Sequence, residues 1–256
     1  MTSDIALEID GHVAVLTLDR AAKLNAMTPE MTEDLRAHVA ALNRDDTVRA
    51  VVLTGAGLKS FCAGSDIREL DTYPTAWSFR GRPDYCDAIR GLVKPSIAAI
   101  NGYAFGGGLE MAMSCDIRIA SPNARFAAPE IKLGWIGGGG MTALLSHSIG
   151  SSNAALMVMT GDPVSAEQAF AWGLVSEIVD QERLVDRARR IGETIASRAP
   201  IAAETAKLNL KAAFAMPLEN AVQYERDLQT ICFATEDAEE GRRAFKEKRS
   251  PNFQRR

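Results

Sequence analysis

The sequence is poor in the residues that build metal centres and disulfide frames. Across 256 residues there are four cysteines, Cys62, Cys86, Cys115 and Cys232, and three histidines, His12, His38 and His147. No two cysteines form a Cys-x-x-Cys pair, so neither a structural zinc site nor a disulfide framework is expected, and no metal is assigned. Long apolar runs are missing as well: none approaches the roughly 18 to 20 residues that span a bilayer. The opening Met1-Thr2-Ser3-Asp4 has no basic region leading into an apolar signal core, so the expected location is the cytoplasm, with no membrane partner. Positive charge is not in excess. Lys and Arg number 29 against 33 Asp and Glu, a formal net charge of −4, which provides no broad basic field for nucleic acid.

Three familiar motifs are each incomplete. Gly55-Ala56-Gly57-Leu58-Lys59-Ser60 follows a strand-like run, but Ser60 stands where a dinucleotide fingerprint needs its third glycine. Gly137-Gly138-Gly139-Gly140 is followed by no Gly-Lys-Ser/Thr, so it is a flexible or close-packed entry into a helix at 141–149 rather than a phosphate loop. Ala63-Gly64-Ser65-Asp66 lacks the Gly-x-Ser-x-Gly elbow, which removes Ser65 as a hydrolase nucleophile. Cys62 beside it has the habit of a small buried thiol.

What is present is a chain of 46% hydrophobic and 24% charged residues, the balance of a soluble globular protein with a sizeable core. Its most informative stretch is 95–131. The apolar run Ser96-Ile97-Ala98-Ala99-Ile100 breaks at Asn101-Gly102, and Gly106-Gly107-Gly108 then leads directly into the helix-favouring Leu109-Glu110-Met111-Ala112-Met113. This predicts a strand, a tight turn and a helix start. At such a start the first N–H groups lack intrahelical partners, and glycines let a ligand oxygen approach them. Glu110 sits in the first helical turn, where it also suits the helix dipole without any chemistry. A second carboxylate, Glu130, follows in Ala128-Pro129-Glu130-Ile131, and the small residues at 62–65 offer one more strand exit with a backbone N–H. Oxyanion donors with two carboxylates are the parts for proton chemistry beside a carbonyl.

Along the rest of the chain, Ile5-Ala6-Leu7-Glu8-Ile9 and Val13-Ala14-Val15-Leu16-Thr17-Leu18 predict a hairpin turning at Asp10-Gly11. Thr28-Pro29 predicts a helix start, with Met31, Leu35, Val39 and Leu42 on one face up to Asn43. A strand at 48–54, a helix at 85–92 and a short strand at 116–120 continue an α/β alternation. From Ser165 helices dominate, at 165–172, 182–197, 200–215 and 217–233, and Ala199-Pro200 is the candidate boundary between a core at 1–199 and a helical region at 200–256.

Several blocks together resemble the crotonase family of enoyl-CoA hydratases and isomerases. They are LNAM at 24–27, FCAGSDIREL at 61–70, NGYAFGGGLEMAMSCDIRIAS at 101–121, FAAPEIKLG at 126–134, MTGDPVSAEQAFAWGLVSEIV at 159–179 and EGRRAFKEKRSPNF at 240–253. The resemblance implies an α/β crotonase spiral of β-β-α units with a C-terminal α-helical trimerisation region, assembled as a homotrimer or a dimer of trimers. It implies an oxyanion hole from the N–H groups of Ser65 and Gly107, with Glu110 and Glu130 as acid and base. For a coenzyme A thioester it points to Lys23, Leu24, Ala63, Asp66, Ile67, Gly106, Trp135, Phe245 and Lys248. Coenzyme A enters as part of the substrate, and no separate cofactor is expected.

The implied reaction is reversible hydration of a 2-enoyl-CoA, or the reverse dehydration of a 3-hydroxyacyl-CoA such as carnitinyl-CoA. An isomerase, hydrolase or decarboxylase on the same scaffold is the alternative, and a non-catalytic RNA-binding homologue is the alternative from another class. Retention of both glutamates favours hydration. The sequence departs from the family in Leu133-Gly134-Trp135-Ile136-Gly137, which puts an indole where a small residue is usual and lacks a proline, and in Met141-Thr142-Ala143-Leu144-Leu145-Ser146-His147. It also has Arg20-Ala21-Ala22-Lys23 without the usual Arg-Pro. The departures at 133–147 bear on the acyl end of the pocket, and the aromatics Trp77, Phe79 and Tyr85 fall in the region that varies most with acyl chain in the family, where ordinary packing is the equal alternative.

Overall fold

In the computed structural model the description covers residues 4–256. Met1-Thr2-Ser3, read above for a signal region, lies outside the described residues. The chain opens with β1 (Ile5–Asp10) and β2 (Val13–Leu18), an antiparallel hairpin joined across two residues with Gly11 at φ 55°. Helix α1 (Pro29–Arg44) starts where Thr28 Oγ1 accepts from the Met31 N–H, and it buries Met31, Leu35, Val39 and Leu42 as the spacing predicts.

Beyond α1 the chain advances in repeated units. β3 (Ala50–Gly55) is followed by β4 (Ser60–Cys62) and the short helices α2 (Ile67–Leu70), α3 (Ala76–Arg80) and α4 (Tyr85–Arg90). Next come β5 (Ser96–Ile100), β6 (Tyr103–Phe105) and α5 (Gly107–Ser114), then β7 (Ile117–Ala120), β8 (Arg125–Ala127) and α6 (Met141–Thr160). In each unit the first strand joins a large sheet and the second a small one: β3, β5 and β7 run parallel, and so do β4, β6 and β8. This is a spiral of β-β-α turns. The large sheet has the order β1-β2-β3-β5-β7-β10 and the small one β4-β6-β8-β9, completed by β9 (Val164–Ser165) and β10 (Glu177–Ile178) on either side of α7 (Ala166–Ala171).

The central strands β2, β3 and β5 of the large sheet are buried on both faces, which is why they read as continuous apolar runs. Leu16, Val51, Leu53 and Ile100 face the main core. Val15, Val52, Ala99 and Ile119 face α8 (Leu184–Ala196), where a Cβ on Gly192 would lie 3.0 Å from Val13. Helices α9 (Pro200–Ala215), α10 (Leu218–Phe233) and α11 (Glu236–Glu247) complete the chain. Lys207 of α9 is buried against Asp116 at 2.8 Å and the Lys94 carbonyl at 2.9 Å, tying this region to the sheets.

Three local expectations change. Asn101-Gly102 is not a tight turn: the buried Asn101 amide donates to the carbonyls of Gly55 and Gly57, and a Cβ on Gly102 would fall 2.2 Å from the Lys59 carbonyl oxygen, so the chain crosses between sheets in tight contact. Helix α6 does not stop at residue 149 but continues past a kink at Gly150 (φ 76°) to Thr160. Helix α11 is an addition that the sequence reading did not include.

Candidate active site

The parallel strands β4, β6 and β8 deliver their C-terminal ends to one edge of the small sheet, so their exit loops at 63–66, 106–107 and 128–130 are neighbours. Gly64, at φ 95°, permits this approach: a Cβ there would lie 3.2 Å from the Gly107 nitrogen. The Met27 N–H donates to the Gly64 carbonyl and the Asp66 N–H to the Met27 carbonyl, both at 2.8 Å. That pattern turns the N–H of Ser65, between them, to the opposite side of the strand. Gly107 is the first residue of α5, so its N–H has no intrahelical acceptor. Among the described residues neither N–H meets a hydrogen-bond acceptor.

Two carboxylates flank these donors. Glu110, one turn into α5 and only 5% exposed, accepts at Oε1 from the Gly139 N–H at 2.8 Å and the Met141 N–H at 3.0 Å. The glycine run before α6 is therefore a close approach: a Cβ on Gly137 or Gly139 would lie 2.7 or 2.8 Å from the carboxylate oxygens. Glu130 follows β8 in the 3-10 turn Pro129–Leu133. Gly106 takes φ 54° and ψ −127°, and a Cβ there would fall 2.9 Å from Glu130 Oε1, so only glycine fits beneath this carboxylate. Glu130 Oε2 is buried without a hydrogen-bond partner among the described residues.

Burial raises the pKa of both groups. At Glu110 the desolvation outweighs the two backbone hydrogen bonds, and the charges of Glu130 and Asp84 push it further up. At Glu130 burial dominates. Glu110, Glu130, Gly107 and Ser65 all line one cleft of about 420 Å³. A carbonyl oxygen at the two N–H groups would place the adjoining carbons between carboxyls suited to exchanging protons with water.

The profile of the family described as enoyl-CoA hydratase/isomerase matches residues 8–256. The chain belongs to that family. It is 42% identical to the (E)-benzylidenesuccinyl-CoA hydratase of Thauera aromatica over 97% of this chain and 98% of that protein. To the mitochondrial enoyl-CoA hydratase of Pongo abelii it is 43% identical over 94% of this chain and 83% of that protein. The fold is similar to the crystal structure of an enoyl-CoA hydratase from Bacillus anthracis, with a TM-score of 0.92 and 34% identity across 99% of this chain and 100% of that one.

The other residues singled out from the family blocks divide by position. Ala63, Ile67, Gly106 and Trp135 line the cleft. Leu24, in a left-handed conformation at φ 54°, borders it: its carbonyl accepts from the Ala63 N–H at 3.1 Å and from Ser60 Oγ at 2.8 Å, and Lys23 is exposed just before it. Asp66 caps α2 and pairs with Arg20 at 2.8 Å, a bond that holds its pKa below the usual carboxylate range. Phe245 and Lys248 do not line the cleft. Phe245 is 85% exposed over a separate groove with Phe233 and Phe253, and Lys248 ends α11. Cys62 is fully buried, which pushes its thiol up to about 12, as suits a packing residue.

Several contributors take roles that the sequence did not assign. Tyr85, noted there only among the aromatics of the acyl-end region, and Arg90 reach the site from α4. Arg90 donates to the Gly139 carbonyl and, at 3.2 Å, to Ser114 Oγ, which itself donates to the Glu110 carbonyl. Asn25, fully buried at φ 55°, donates to the carbonyls of Ala56 and Ser60 and so fastens the Leu24 segment to β4.

Proposed function

We propose that this protein adds water reversibly to a 2-enoyl-CoA, giving a 3-hydroxyacyl-CoA, and that Ser65, Gly107, Glu110 and Glu130 carry the reaction. The observation that carries this reading is the pairing of two buried carboxyls with raised pKa and two unengaged N–H groups in one cleft. The hydratase names of relatives 36 to 43% identical over nearly the whole chain support it.

The thioester oxygen accepts from the N–H groups of Ser65 and Gly107. Glu110 holds a water and takes its proton as the water oxygen bonds to the β-carbon. The electron pair of the double bond moves onto the thioester as an enolate, and Glu130 delivers a proton to the α-carbon. Dehydration reverses each transfer. Loss of one such oxyanion donor in other enzymes costs about 3 to 4 kcal/mol of transition-state stabilisation, which sets the scale for the two strand exits.

Coenzyme A enters with the substrate, along Lys23, Leu24, Ala63, Asp66 and Ile67. Residues 200–256 act as the oligomerisation region of a homotrimer or dimer of trimers, beside a core at 1–199. The exposed Leu210, Phe214, Leu218, Ile231 and Phe233 of α9 and α10 support an apolar contact there. Phe245 and Lys248 of the C-terminal region are proposed as further contacts of coenzyme A. No described helix is long and apolar enough to cross a membrane, and the protein is read as working in the cytoplasm.

The test is loss of the conjugated-thioester ultraviolet absorbance of crotonyl-CoA, with the product checked by mass for one added water. Bound but unreacted crotonyl-CoA would move the substrate to a bulkier or branched acyl group, with Trp135 as the first residue to vary.

A further inference from the structure

The wall of the cleft holds a hydroxyl pair that the reaction above does not use. Asp84 caps α4 by accepting from the Cys86 N–H at 2.7 Å, which sets Tyr85 as the first helical residue and sends its side chain to the start of α5. The phenol there occupies the space a side chain on Gly107 would need: a Cβ at Gly107 would fall 1.8 Å from the Tyr85 oxygen. On its other side the same oxygen lies 3.0 Å from Ser65 Oγ. The two residues whose N–H groups are assigned to the oxyanion hole are thus both in contact with one phenol.

Counting protons gives the pair a direction. Two hydroxyls carry two protons, and their mutual hydrogen bond uses one. No other acceptor for either hydroxyl exists among the described residues. Tyr85 is only 8% exposed, so the second proton has few waters to bond. A buried donor without an acceptor is costly, and an acceptor brought by the substrate relieves that cost. Burial, followed by neighbouring cysteines and Glu110, keeps the phenol protonated and therefore a donor. Phenol is also a stronger acid than an alkyl hydroxyl, so the better arrangement has Ser65 donating to Tyr85 and Tyr85 donating outward.

We propose that the Tyr85 hydroxyl is a third, side-chain donor to the thioester oxygen, oriented by Ser65 Oγ and acting together with the N–H groups of Ser65 and Gly107. This rests on the thioester-enolate reading of the site. Tyr85 is then a catalytic residue, and the Ser65 side chain is a positioning residue that works through it.

The experiment compares wild type, Tyr85→Phe, Ser65→Ala and the double variant in two assays. In the first, turnover of an accepted enoyl-CoA should fall about tenfold or more in Tyr85→Phe with KM little changed, the pattern of an interaction made in the transition state. Ser65→Ala should lose less, and the double variant no more than Tyr85→Phe alone, because the serine acts through the phenol. The second assay needs no hydration. Acetoacetyl-CoA has an acidic α-carbon, and on binding it can pass that proton to a site carboxylate and leave its electron pair on the oxygens as an enolate with its own near-ultraviolet band. Its enolate fraction on the enzyme should fall in Tyr85→Phe and, by less, in Ser65→Ala, while its binding is retained. An unchanged enolate fraction in folded Tyr85→Phe, or in Ser65→Ala should the first variant not fold, overturns the proposal. Wild type that forms the enolate yet hydrates no enoyl-CoA overturns the hydratase reading and leaves the donor assignment standing. Absence of enolate in wild type overturns the donor assignment.

Discussion

The N–H of Gly139 donates to Oε1 of Glu110 at 2.8 Å, and the absence of a side chain on Gly139 is what lets them meet. A Cβ at 139 would stand 2.8 Å from Glu110 Oε2 and 3.0 Å from Cys86 Sγ. Gly139→Ala should therefore displace the carboxylate and lower kcat by about 100-fold, the scale on which an ångström of misplacement acts. Steady-state kinetics at fixed pH checks this, and a wild-type kcat would remove Gly139 from the site.

Arg90 secures the same loop from behind. Its guanidinium donates to the Gly139 carbonyl and to Ser114 Oγ, joining the loop that holds Glu110 to the helix that carries it. Arg90→Ala should lower kcat about tenfold while KM stays within a few-fold, because it touches the base's support and not the substrate. Arg90→Lys, keeping charge but losing the fork, should recover only part of the loss. A variant changed in KM alone would place Arg90 in substrate binding instead.

Legibility in the sequence followed the length and periodicity of each element. The hairpin, α1 and β5 could be read because β-prone apolar runs or helical spacing are sustained there, and in α1 the buried Met31, Leu35, Val39 and Leu42 are the residues the spacing names. The strands β4, β6 and β8 are three residues each, too short to show a period, and they pair with partners about 20 to 40 positions away. Yet these strands aim the site. Glu110, Glu130, Gly107 and Ser65 were visible because each sits beside glycine, proline or small residues at a strand exit. Arg90 was not, and Tyr85 was marked only as one of three aromatics near the acyl end, since the meaning of both lies in what α4 packs against. Helix α11 has only Ala244 as a buried apolar residue, so no apolar stripe announces it.

That helix clasps the C-terminal segment through two carboxylates. Asp237 accepts from the N–H groups of Gln254 and Arg255, and Glu240 accepts from the Asn252 N–H and from Arg249 and Arg243. These bonds, Arg249 foremost, hold Glu240 far below the usual carboxylate range. A carboxyl with a depressed folded pKa stabilises above its unfolded value of about 4.3 and loses that contribution as pH falls toward the folded value. Cleavage of the tail by an acid-active protease should accelerate as pH drops below about 4. Glu240→Gln should be cleaved readily already at about pH 5, above the acid window, with less dependence on pH. Equal cleavage of both proteins at every pH would dissociate the clasp from Glu240.

For Glu110 the sign is opposite, and activity and stability should separate. Its pKa is raised by burial, so in the window above the unfolded value of about 4.3 the folded chain binds more protons than the unfolded one, and stability falls as pH rises through that window. Glu110→Gln keeps an oxygen for the N–H groups of Gly139 and Met141 but has no charge to bury beside Glu130. It should melt higher than wild type at pH 7.5, and the gap should shrink as pH falls and close below about 4.3, where the wild-type carboxyl becomes protonated in both states. The same variant should lose about 100-fold or more in kcat, the range of a missing general acid or base, with affinity for the thioester within about tenfold. Melting curves across pH and kinetics on one preparation test both halves. A gap that does not change with pH would show that the Glu110 carboxyl binds its proton equally well in the folded and unfolded chain, so that burial does not raise its pKa, and a wild-type kcat would show that the water is activated elsewhere.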